Sequence, residues 1–71
     1  WPNPARDHVI FESSTQIERL QVFDVNGRPM LDEKLASNRA RLDLSGWASG
    51  VYIVKMFTAE GTKTLKLQRV D

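Results

Sequence analysis

The 71 residues leave room for one domain and one hydrophobic core, because short chains bury a smaller share of their surface on folding. Ten Lys plus Arg against nine Asp plus Glu give a formal net charge of +1, with the signs interspersed, which excludes the basic footprint of a nucleic-acid binder and the basic patch of an anionic-membrane binder. The absence of Cys excludes disulfides, thiolate catalysis and Cys-based zinc sites.

Trp1-Pro2-Asn3-Pro4 opens the chain, and each proline biases the residue before it away from the helical region, so an extended segment is expected. His8 to Ser13 is rich in β-branched and aromatic residues and predicts a first strand, closed by the polar turn Ser13-Ser14-Thr15. Ile17 to Val25 predicts a second strand. Leu20 and Val22 fall on one face and Phe23 and Val25 on the other, the pattern of a strand covered on both sides. Asn26-Gly27 then predicts a two-residue type I′ hairpin, since both central positions need positive φ. The returning strand, Arg28 to about Leu35, contains Pro29, whose missing N–H places it on a sheet edge.

After a polar turn over Ala36 to Arg39, Ala40, Leu42 and Leu44 alternate with Arg41 and Asp43, the signature of a half-buried strand. Gly46 and Gly50 bracket a short connection in which Trp47 is expected to anchor on the core. Val51 to Thr58 is the most β-prone run and is placed centrally in a sheet, with Tyr52, Val54 and Met56 on one face and Val51, Ile53 and Phe57 on the other. A turn at Glu60-Gly61 leads to the last strand, Thr62 to Val70, in which Leu65 and Leu67 face the core and Lys66 points outward. Six short strands without a helical period predict an all-β, antiparallel sandwich or barrel occupying residues 1–71.

Catalytic and metal signals are weak. His8 is the sole histidine and has no partner at catalytic or ligand spacing beyond the adjacent Asp7. Asp24-Val25-Asn26-Gly27 starts like a calcium loop, but Arg28, Pro29 and Leu35 stand where such a loop needs a ligand, a glycine and a glutamate. Asp32, Glu33 and Glu60 read as solvated charges, and Arg39 and Arg41 as one exposed strand face. The serines lack a nucleophile-elbow context, and there is no phosphate loop. The chain is therefore expected to be neither an enzyme nor a cofactor binder. No apolar run approaches the roughly 18 residues needed to cross a bilayer as a helix. A start at Trp1 suggests a piece of a longer protein whose export signal lies upstream.

Four blocks carry a resemblance: Trp1-Pro2-Asn3-Pro4-Ala5; Val22-Phe23-Asp24-Val25-Asn26-Gly27-Arg28; Leu42 to Lys55, containing Trp47-Ala48-Ser49-Gly50-Val51-Tyr52; and Thr64-Leu65-Lys66-Leu67. In order and spacing this resembles the type A C-terminal sorting domain of the type IX (Por) secretion system of Bacteroidetes-type bacteria. That family reads aromatic-Pro-Asn-Pro, Asp-x-x-Gly, Leu-x-x-Gly-x-Tyr and a Lys-bearing last strand. Here Trp1 stands for the commoner Tyr, Trp47 for Leu, and Lys66-Leu67 for paired lysines.

The resemblance implies an Ig-like sandwich of six to seven strands at the end of a secreted cargo. It implies passage through the periplasm of a Gram-negative cell to the surface or beyond, and recognition by the outer-membrane translocon. An outer-membrane shuttle is a further expected partner, and a sortase-like peptidase would then remove the domain and anchor the cargo, or the domain would be retained. Gly27 and Gly50 are expected to hold tight turns, and Lys63, Leu65, Lys66 and Leu67 to be read along the last strand by edge pairing. The same edge offers a homodimer by strand pairing. The alternative reading is a fibronectin-like adhesion or carbohydrate-binding module of a surface protein, with Trp1, Trp47, Tyr52 and the three Phe (Phe11, Phe23 and Phe57) as an aromatic platform.

Overall fold

The computed structural model describes residues 5–70, so the predicted extended segment at 1–4 lies outside the described residues. The β-branched and aromatic runs form β1 (His8–Asp24), β2 (Pro29–Asp43), β3 (Gly50–Thr58) and β4 (Gly61–Arg69), and no helix occurs among the described residues. All pair antiparallel in one sheet of order β2-β1-β3-β4. Pro29 thus lies on an edge strand, as its missing donor requires, and β3 is central.

The all-β, antiparallel expectation holds, with four strands in one sheet where six to seven were expected. The two predicted strands on either side of Ser13-Ser14-Thr15 are one strand, and so are the two on either side of 36–39. The polar runs face each other as a register irregularity: between Glu12↔Arg39 and Ile17↔Ser37, residues 13–16 of β1 lie against Asn38 alone. Surplus residues on one strand bend a ladder without ending it. Asn38 Nδ2 donates to the Ser13 carbonyl at 3.1 Å and ties the corner together.

The bend also shifts the side-chain phase. Val9 and Phe11 point inward from odd positions, whereas beyond the corner and a second irregularity at Ile17/Arg19 the inward residues are Leu20 and Val22. Since alternation has a period of two, the far half of the β1–β2 hairpin delivers its apolar stripe to the same core as the near half. Val9, Phe11, Ala40 and Leu42 join Leu20, Val22, Val54 and Leu67 in one buried cluster. Leu44 is also fully buried, and Ala40, Leu42 and Leu44 lie on the inner side as their alternation predicts.

The turn after β1 differs from the type I′ expectation. Among the described residues no non-glycine has positive φ, so Asn26 cannot occupy a type I′ position; within this turn Gly27 alone takes positive φ, 84°. Gly27 N–H donates to the Asp24 carbonyl at 3.0 Å and Asp24 N–H to the Arg28 carbonyl at 2.9 Å, which describes a three-residue loop with a glycine bulge. The Asp24 carboxylate selects it by accepting the N–H groups of Asn26 and Arg28, both at 2.9 Å.

Ahead of β1, buried Ala5 forms a parallel bridge with Arg69. Its N–H donates to the Gln68 carbonyl and its carbonyl accepts from Val70 N–H, both at 2.8 Å. Leu44 N–H donates to the Asp7 carbonyl at 2.8 Å, and Arg69 Nε to the Leu44 carbonyl at 2.9 Å. The start of the described chain, its end and the β2–β3 connection are thereby fastened together.

Candidate functional site

Two of the motifs act locally. Asp24-Val25-Asn26-Gly27 makes the bulged loop, and the two backbone N–H groups on its carboxylate, that of Arg28 foremost, hold the Asp24 pKa below the ordinary value of 3.8. Arg28 Nε adds an ion pair at 3.1 Å. In Trp47-Ala48-Ser49-Gly50-Val51-Tyr52, Trp47 N–H donates to the Leu44 carbonyl at 2.9 Å and its ring packs 5.0 Å from that of Tyr52. Gly50 takes φ 150°, which disfavours any side chain. The Tyr52 hydroxyl then reaches back to the Ala48 carbonyl at 2.6 Å, so the buried ring keeps its polar tip satisfied. These residues are building material, and Trp47 is the half-buried anchor its sequence predicts.

A groove of about 380 Å³ opens between this connection and the Asp24–Met30 turn, with Trp47, Gly50 and Tyr52 on one wall and Val25 and Arg28 on the other. Gly27 and Gly50 thus lie at the same end of the sheet. The remaining residues singled out from sequence spread along β4: Lys63 pairs with Met56, Leu65 with Val54, Lys66 with Ile53 and Leu67 with Tyr52. Leu67 is 1% exposed and belongs to the core, whereas Leu65 on the same face is 37% exposed. Lys63 shares that inner face near the Thr58–Gly61 turn, and Lys66 takes the opposite face. The six residues do not converge on one spot. Ala5 occupies the Gln68–Val70 end of the β4 edge, leaving the stretch from Thr62 to Thr64 beyond it.

Sequence reasoning missed the role of the outward face. Phe23 and Val25 suggested a strand covered on both sides, and Val51, Ile53 and Phe57 gave a central strand a second apolar face, but the core lies on one side, and Phe23, Val51, Ile53 and Phe57 remain half-buried on the other. Arg19 lies 5.9 Å from the centre of the Phe57 ring and Lys55 Nζ 5.5 Å from that of Phe23. Arg19 also grips Asp32 through two bonds of 2.8 and 2.6 Å, with Gln21 Nε2 on the same carboxylate at 3.2 Å. Arg19 foremost, then Gln21, pull the Asp32 pKa down to about 2. The signal was present in the sequence as a second apolar stripe; what the sequence hid was that nothing in the described chain covers it.

No catalytic constellation appears among the described residues. His8 Nδ1 lies 2.8 Å from Asp7 in an exposed pair, and among the described residues no group of three or more metal-ligating side chains forms and no helix is long and apolar enough to cross a membrane. A family model described as a secretion system C-terminal sorting domain matches residues 1–69. No curated protein and no solved structure matches the chain.

Proposed function

The chain belongs to the family of type IX secretion C-terminal sorting domains, and from that premise we propose that it is a non-catalytic address: a folded tail that follows a secreted cargo, crosses the periplasm of a Gram-negative cell and is read by the outer-membrane translocon. The carrying observation is the match over residues 1–69, nearly the whole chain. A sorting tail of this family directs its cargo to the cell surface or the medium; removal by a sortase-like peptidase, with attachment of the cargo, is the step we assign after translocation.

Several features support recognition of a folded body. The bent hairpin brings Val9 and Leu42 into one core with Val22 and Val54, which is compatible with an Ig-like two-layer body. The motif residues are consumed in turns, so surface residues are left to be read. Lys63, Leu65 and Lys66 on β4 are our candidates there, with Gly27 and Gly50 fixing the turns at the sheet's other end and Leu67 holding β4 on the core. Pairing of two copies along β4 is a competing use of that edge.

The test is a fusion of the chain behind an export signal and a fluorescent reporter, in a bacterium with and without a working type IX system. Reporter outside the cell only when the system is intact supports the address. An intact, folded fusion held in the periplasm overturns it and favours the adhesion or carbohydrate-binding reading, for which the groove beside Trp47 is the supporting feature.

A further inference from the structure

The outward face of the sheet combines three properties that an ordinary solvated face lacks. First, it carries the apolar row Phe23, Val51, Ile53 and Phe57, although the solvent side of an antiparallel sheet is normally polar. Second, the row borders a depression of about 360 Å³ lined by Phe23, Val25, Ile53, Lys55, Asp24 and Gly27, and Val25 at its lip is 69% exposed, the most exposed large hydrophobic among the described residues. Third, the charges around it are unbalanced. At the outward register positions stand Arg19, Lys34, Lys55 and Lys66 against the carboxylate of Asp32, which is already held by Arg19 and Gln21, while the Asp24 carboxylate beside the depression is paired with Arg28 at 3.1 Å. Glu18 sits apart, in the irregularity beside Ile17.

We propose that this face is the docking surface for a protein receptor of the outer membrane, and that the receptor presents a large apolar side chain flanked by carboxylates, the apolar group entering the Phe23–Val25–Ile53 depression and a carboxylate meeting Lys55. This rests on the sorting reading and names the surface through which it works. Charge complementarity selects the occupant: a second copy of this face would set Lys34 and Lys55 against their own kind. A lipid surface fits less well, because the apolar groups are half-buried and, apart from Val25, do not project as a membrane-inserting stripe does. The Lys55 ammonium over the Phe23 ring is already positioned, so little side-chain freedom is lost when a carboxylate arrives.

The experiment uses the chain fused to the reporter, with Lys55→Glu, Ile53→Asp and, as a control in the exposed segment ahead of β1, Arg6→Glu. Retention of each fold is checked by circular dichroism and melting. Sedimentation is measured with outer-membrane vesicles from a strain with the type IX system, with vesicles from a strain lacking it, and with protein-free vesicles of the extracted lipid. We expect binding to the first vesicles alone, weakened on the order of tenfold by Lys55→Glu and by raising salt, since a charge facing its complement is screened within about a Debye length. Ile53→Asp abolishes binding, and Arg6→Glu leaves it unchanged. Equal binding by folded outward-face variants overturns the proposal, as does equal binding to protein-free lipid or no binding by the unaltered chain. Export of the Lys55→Glu fusion at the normal level sinks this surface while leaving the sorting function standing; absence of export for the unaltered fusion sinks the sorting function itself.

Discussion

Asp24 shows how one side chain determines a turn: its carboxylate accepts two backbone N–H groups and faces the Arg28 guanidinium. Those contacts favour the charged form and hold the Asp24 pKa below 3.8; Arg19, then Gln21, pull that of Asp32 down to about 2. The unfolded chain therefore binds more protons in acid than the folded one. The stabilisation is complete above the unfolded value of 3.8 and is lost as pH falls through the lower folded values. Urea titrations between pH 5 and pH 2 should show stability falling mainly below about pH 4, and Asp32→Asn should flatten that limb. An unchanged slope in Asp32→Asn would mean that the Arg19 contact does not persist in solution. The importance of Asp24 was legible in the sequence, but the turn type was not. Asn-Gly suits either loop, and the choice is made by a carboxylate whose hydrogen bonds no propensity counts.

At the scale of elements, alternation predicted the core-facing side where one side alone is apolar: Ala40, Leu42 and Leu44 are buried as their spacing requires. For β1 and β3 it offered two apolar faces, and the structure buries the one with Leu20 and Val22 and the one with Tyr52, Val54 and Met56. What alternation could not provide was continuity. A Ser-Ser-Thr run signals a turn locally, yet here the partner strand carries its own polar run at the matching place, and the two are absorbed as a corner within one ladder. Pairing between segments distant in sequence decides that, and no window of the chain contains both. Within β4 the same alternation separates two leucines two positions apart. Leu67→Ala should cost about 2–5 kcal/mol as a buried truncation, enough to unfold much of a small domain, whereas Leu65→Ala should cost well under that because its side chain is already part-solvated. Chemical denaturation of the two variants checks this. Equal losses would place Leu65 in a core that extends further than the structure shows.

For the molecule as a whole, the sequence disclosed strand content, the central position of β3 and the family, while an outward face left open by the described residues emerged only once the strands were assembled. Apolar residues on both sides of β1 and β3 look the same whether the second side meets protein of this chain or of another. The clasp at Ala5 was equally invisible, because an alanine followed by charged residues carries no strand signal. That clasp sets how the domain responds to pulling. Ala5 runs parallel to β4, so tension on the chain ahead of Ala5, against an anchor beyond Val70, slides the two segments past each other. Its two hydrogen bonds are then loaded together in shear, a sturdier arrangement than opening them one after another like a zipper. A tail tugged by its cargo during passage would resist at this latch before the sheet itself carries load. Ala5→Pro, which removes the N–H that donates to Gln68, should lower the rupture force in an optical-tweezers pull from the two ends. An unchanged force would locate the mechanical resistance elsewhere, in the β1–β3 ladder.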